Sequence, residues 1–194
     1  MKTHRSLAEH WLWLGVTALA AAGIYSLIPV IGRTPQLKGL GVMQQLFDVA
    51  LVVHVNLSVY IWFLAMLGMG LSLMMEQHRA AWGMWLKAGF GVAALAALLM
   101  AASPLDPHWE VIKSNYVPVL NNKTFLLSLG LLVSGLLVTM LPPVLTHLSV
   151  ARLRALSLQE YGWLTAALVV LLALLGFAMS AAHLPEGLGL FDHY

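Results

Sequence analysis

The chain has 194 residues, 60% hydrophobic and 9% charged, with a mean hydropathy of +0.84; soluble domains carry about 25% charged residues. Cysteine is absent, which excludes disulfides, thiolate metal sites, c-type haem attachment and a cysteine nucleophile. Ten basic and eight acidic residues, spread thinly, give a net charge of +2 and no basic stripe to hold nucleic acid.

A helix needs about 20 apolar residues to cross the hydrocarbon core of a bilayer. Five uncharged runs meet that need. The first extends from Trp11 to Gly32, between Glu9 and Arg33, and the second from Val49 to Met75, between Asp48 and Glu76. The third starts near Trp82, with Lys87 snorkelling, and is expected to stop at Ser103, because the residue before Pro104 is pushed out of helical geometry. The fourth covers Thr124 to His147, its last turns bent by Pro142 and Pro143, and the fifth covers Tyr161 to His183 and closes before Pro185. Continuous runs of this length predict an all-α membrane protein, a five-helix bundle forming one transmembrane domain over 1–194, and not a barrel, whose strands alternate over about ten residues.

Orientation follows from lysine and arginine. With the N-terminus inside, Lys2, Arg5, Arg79, Lys87, Arg152 and Arg154 face the cytoplasm, against Arg33, Lys38, Lys113 and Lys123 outside. The expectation is a bacterial inner-membrane protein with a cytoplasmic N-terminus and a periplasmic C-terminus. The basic start and the alanines from Ala18 to Ala22 also fit a cleaved signal peptide, although the run from Trp11 to Gly32 is long for one. The segment Pro104 to Lys123, with Trp109 and Tyr116, reads as a structured interfacial loop.

The second span holds the informative residue. His54 lies about six residues inside an apolar run, and an intramembrane histidine is a functional-site candidate by default. Helical spacing sets His54, Ser58 and Trp62 on one stripe, beside Leu51, Leu57, Ile61 and Ala65. That stripe suits a planar cofactor: neutral imidazole ligates haem iron, aliphatic neighbours cover the macrocycle, and a hydroxyl fixes the ring or bonds a propionate. The same histidine also serves as helix-to-helix glue, and both readings stand at this point.

The other histidines fall at boundaries or in loops: His4, His10, His78, His108, His147, His183 and His193. His183, at the outer end of the fifth span, is a weak partner for His54. Asp48, Asp106, Glu110 and Glu186 read as solvated outer charges, and no carboxylate lies centrally in a span, so a proton relay within this chain is not expected. Gly68, Gly70, Gly89, Gly91, Gly130 and Gly135 allow close helix approach, and the Met66/Met69 and Met74/Met75 pairs read as packing. Trp11, Trp13, Trp82, Trp85, Trp109 and Trp163 sit near span ends as interfacial anchors would; Trp62 alone lies deep.

The run from Ala50 to Ala65 around His54 resembles the second transmembrane helix of subunit I of haem-copper oxidases, in the divergent bacterial branch near the nitric oxide reductases. The opening His10 to Gly15 and the stretch Ser114 to Leu120 are similar to the first-span entrance and the loop before the fourth span there. The resemblance implies that His54 gives one axial ligand to a low-spin haem of b or a type. It covers the first five of the family's twelve spans, whereas the second low-spin ligand, the high-spin haem ligand and the copper histidines all lie beyond the fifth.

The resulting expectation is a respiratory redox subunit that is not catalytic alone. Its cofactor-binding residues are His54, Ser58 and Trp62, with His54 on the haem iron. A second membrane subunit carries the remaining helices, and the electron donor is a cytochrome c or a quinol. The alternative is a cofactor-free structural or assembly subunit with the same outline.

Overall fold

The computed structural model describes residues 2–36, 41–78, 82–108, 110–112, 118–147, 150–181 and 183. Trp109, Lys113, Tyr116, the first part of the Ser114–Leu120 stretch, Pro185, Glu186 and His193 lie outside them, as do the side chains of His4 and His78. Within an apolar medium a chain must satisfy its backbone groups internally, and the sequence does so almost entirely with helix. In order these are α1 (Lys2–Gly32), α2 (Gly41–Asn56), a π-helical turn (Leu57–Ile61), α3 (Trp62–His78), α4 (Gly83–Ala102), α5 (Lys123–Thr146), the short α6 (Val150–Leu153) and α7 (Leu158–Ala181). Five stretches are long and apolar enough to cross a membrane: Leu7–Gly32, Gly41–Met74, Gly83–Leu105, Lys123–Thr146 and Leu158–Ser180. The protein is therefore an all-α integral membrane protein.

Helix ends differ from the hydropathy boundaries for local reasons. The second span begins at Gly41, well before Asp48, because a helix needs backbone hydrogen bonds and not lipid, so Gln44, Gln45 and Asp48 extend it. At the end of α4, Ser103 keeps helical angles (φ −57°, ψ −28°) despite preceding Pro104. The ladder instead tightens into a 3₁₀ turn, Ser103–Leu105, and the chain leaves at Asp106. Helix α5 continues through Pro142 and Pro143 to Thr146. The start of α7 is a capping box: Ser157 N and Oγ donate to Glu160 Oε2, both at 2.7 Å.

Two short segments of the connection before α5 pair with each other. Strands β1 (Val111–Ile112) and β2 (Val119–Leu120) run antiparallel, with Val111 opposite Leu120. Buried Asn122 caps α5 by accepting from Phe125 N at 2.8 Å, while its Nδ2 donates to Ser103 O (3.1 Å) and His108 O (3.3 Å). One amide thus ties the end of α4, the loop and the start of α5.

Small residues set the helix contacts, as they do where no hydrophobic force separates helix from lipid. Helix α1 lies antiparallel to the second span along its length: Gly32 meets Met43, Gly15 meets Met66 and Ala65, and Gly68 lies under the indole of Trp11. Helices α4 and α5 touch most closely where Gly89 faces Thr139 and Gly135 faces Ala93. Gly70 receives the ring of Trp163 from α7. Trp11 is accordingly no interfacial anchor: it is 0% exposed and meets Phe90 edge-on at 5.3 Å. Trp82 is also buried, whereas Trp13 and Trp85 point outward.

Candidate functional site

The π-turn Leu57–Ile61 sits in the middle of the second span, between His54 and Trp62. Its wide ring is closed by Trp62 N–H bonding to Leu57 O, and such turns occur frequently at functional sites. A regular α-helix advances 800° over eight residues, leaving the second about 80° round from the first; one extra residue in a turn removes about 100°. The turn thereby brings Trp62 close to the line of His54. Both meet α1: the His54 ring bonds Ala22 O at 2.8 Å, and Trp62 Cδ1 lies 3.6 Å from where a Cβ on Gly15 would stand.

The bond to Ala22 fixes the chemistry of the imidazole. A carbonyl oxygen only accepts, so Nδ1 of His54 carries the proton and donates to Ala22 O. In the neutral ring Nε2 then holds the lone pair, and no partner for it occurs among the described residues. Metal-ligating histidines are oriented in this way, with the second nitrogen donating to a carbonyl and the ring made more basic. The residue is half-buried at the seam of α1 and α2.

Ser58 and Trp62 serve differently from each other. The Ser58 hydroxyl donates into its own helix, to His54 O at 2.7 Å, which gives that carbonyl a donor where the ladder changes from α to π. Trp62 is half-buried and stands edge-on to Phe63 at 5.0 Å, about two turns along the span from His54.

Asn56, which sequence reasoning passed over, anchors the opposite side of the same segment. It is 0% exposed, and its Nδ2 donates to Val52 O (2.8 Å) and to Pro118 O (2.9 Å), drawing the β-hairpin loop onto the span. Glu160 was also missed, although Ser157 three residues before it spells a capping box. Asn122 announces itself in the same way, as an asparagine opening an apolar run.

The remaining candidates are engaged elsewhere. His183 turns back on α7, its Nδ1 bonding Met179 O at 2.7 Å, and gives no support to a pairing with His54. Buried His147 bonds Pro143 O at 2.9 Å and stands edge-on to Trp82 at 6.2 Å. In the loop, Asp106 accepts from the ring and the backbone N–H of His108 at 2.9 and 3.1 Å, bonds that hold its carboxyl below the usual aspartate range. Glu110 accepts from Asn121 Nδ2 at 2.6 Å. Among the described residues no group of three or more histidine or carboxylate side chains is placed to hold a metal ion. Two surface grooves, one of about 500 Å³ between Trp82 and Leu145 and one of about 420 Å³ around Arg33 and Phe47, lie away from His54.

Comparison with known proteins adds one relative. The chain is 36% identical over 155 residues to an uncharacterized protein of Rickettsia prowazekii (strain Madrid E), an alignment covering 67% of this chain and 30% of that protein. This chain therefore spans less than a third of its relative's length. No protein-family profile matches the chain, and no solved structure matches it.

Proposed function

We propose that this chain is a redox subunit of a respiratory membrane complex in which His54 supplies one axial ligand to a low-spin haem of b or a type. The observation that carries the reading is the hydrogen bond from Nδ1 of His54 to Ala22 O, which leaves Nε2 as the ligating nitrogen at membrane depth. The bound haem supplies one-electron transfer. Within this chain Ala22 O orients the imidazole, Ser58 steadies the helix by donating to His54 O, and Trp62, about two turns along the span, would offer apolar surface to the haem. The second axial ligand, the closing wall and any catalytic metal come from a membrane subunit carrying the further helices of an oxidase-like assembly, fed by a cytochrome c or a quinol. The lysine and arginine bias supports a cytoplasmic N-terminus, and the reading sets the protein in a bacterial inner membrane with the His54 end toward the periplasm.

The same hydrogen bond favours a second reading, in which His54 only ties α1 to the second span of a cofactor-free assembly subunit. A reduced-minus-oxidised visible spectrum of the tagged protein, purified from its own membrane with its associated chains, separates them. A low-spin band present in the wild type and lost in His54→Ala supports ligation. Absence of haem from the wild type, or a band indifferent to the substitution in an intact complex, overturns it in favour of the assembly subunit.

A further inference from the structure

At the end of the bundle where α4 begins and α5 ends, residues of the two helices line an apolar groove of about 500 Å³. Trp82 and Trp85 form one side, and Val138, Leu141, Pro142 and Leu145 the other. None of its lining side chains is charged; Thr146, at the terminus of α5, is its polar member. Over that terminus lies a guanidinium: Arg152 is exposed and donates from Nη1 to Thr146 O. Arg154, two residues on, is exposed as well.

An apolar slot flanked by tryptophan at a span end, with a fixed positive charge at its mouth, matches one class of molecule. We infer that the groove binds an anionic phospholipid, its acyl chain lying between Trp85 and Leu141 and its phosphate meeting Arg152. Basic residues beside clefts between transmembrane helices select acidic head groups in this way, and tryptophan suits the boundary at which the chain meets the head group. Arginine is always charged and matches phosphate with a planar fork of donors, so the charge is in place whatever else the side chain bonds. The inference is independent of the haem, which lies with His54 on the seam of α1 and the second span.

Quenching of tryptophan fluorescence by brominated acyl chains tests it. The full chain is reconstituted in phosphatidylcholine vesicles doped with brominated phosphatidylglycerol, or with brominated phosphatidylcholine at the same fraction. The expected result is stronger quenching by the brominated anionic lipid, an excess that falls in Trp85→Phe because part of the signal comes from that indole. The excess is lost in Arg152→Gln, retained in Arg152→Lys, and lost in Val138→Phe, which fills the slot without altering charge. Equal quenching by the two lipids in the wild type, or an excess that survives Arg152→Gln in folded protein, overturns the inference. An excess that survives Val138→Phe overturns the placement of the acyl chain in the groove.

Discussion

Replacing Gly68 by alanine is the sharpest test of how α1 is seated on the second span. A Cβ at Gly68 would stand 2.5, 2.6 and 2.7 Å from Cδ2, Cε2 and Cε3 of Trp11, closer than real methyl carbons approach a ring. The indole cannot swing aside cheaply, since it is 0% exposed and held edge-on by Phe90 at 5.3 Å. Overpacking of this kind costs about 1–3 kcal/mol, against a gain in helix propensity of at most about 1 kcal/mol. Gly91, around which nothing lies within 4 Å of an added Cβ, takes the propensity gain without the clash. Gly68→Ala should therefore be less stable than Gly91→Ala by about 1–3 kcal/mol, read as a shifted midpoint in dodecyl sulfate titration of the protein in mixed micelles. Combining Gly68→Ala with Trp11→Leu should recover part of the difference, with a coupling energy of about 0.5–3 kcal/mol between the contacting sites. Equal midpoints for the two alanine variants would refute the close packing of Trp11 over Gly68.

Two further outcomes follow from the loop end. Asn122→Ala should cost about 1 kcal/mol for the lost cap of α5, and more through the Ser103 and His108 carbonyls left without their donor; Asn122→Asp keeps the cap and should lie between wild type and alanine in the same titration. The Asp106 carboxyl is held low in the folded state by the side chain and backbone N–H of His108, so the contact is complete above the ordinary aspartate value of about 3.9 and is lost only as pH falls through the lower folded value. The His108 amide proton, followed by NMR into acid, should show that late step, and Asp106→Asn should erase it; a step at or above the ordinary value would contradict the bond.

Five spans were legible in the chain because apolar runs of that length have few other uses. Their ends were less so: Asp48 marks where apolar sequence begins, but the helix starts at Gly41, since polar side chains do not interrupt backbone hydrogen bonding. The third span closed near the expected place for a different reason, a tightened 3₁₀ turn in which Ser103 stays helical. Trp11 looked like an anchor because position near a span end is all that sequence offers; its burial depends on a hole that Gly68 provides from another helix. For the candidate site, the depth of His54 was readable from the residues around it. Its tautomer was not, because the deciding oxygen belongs to Ala22, 32 residues away. The π-turn was equally hidden, since a shift in hydrogen-bond ladder leaves no residue-type signature in Leu57–Ile61.

The bonds of His54 and Asn56 have a joint mechanical meaning. Two residues apart on a helix, they point about 200° from each other, one to Ala22 O on α1 and the other to Pro118 O in the loop. The span is thus pinned like an axle at a single height, from opposite sides, by main-chain oxygens that no side-chain substitution can remove. Twisting of the helix about its own axis at that level would strain both pins together, so the His54 ring keeps a constant bearing.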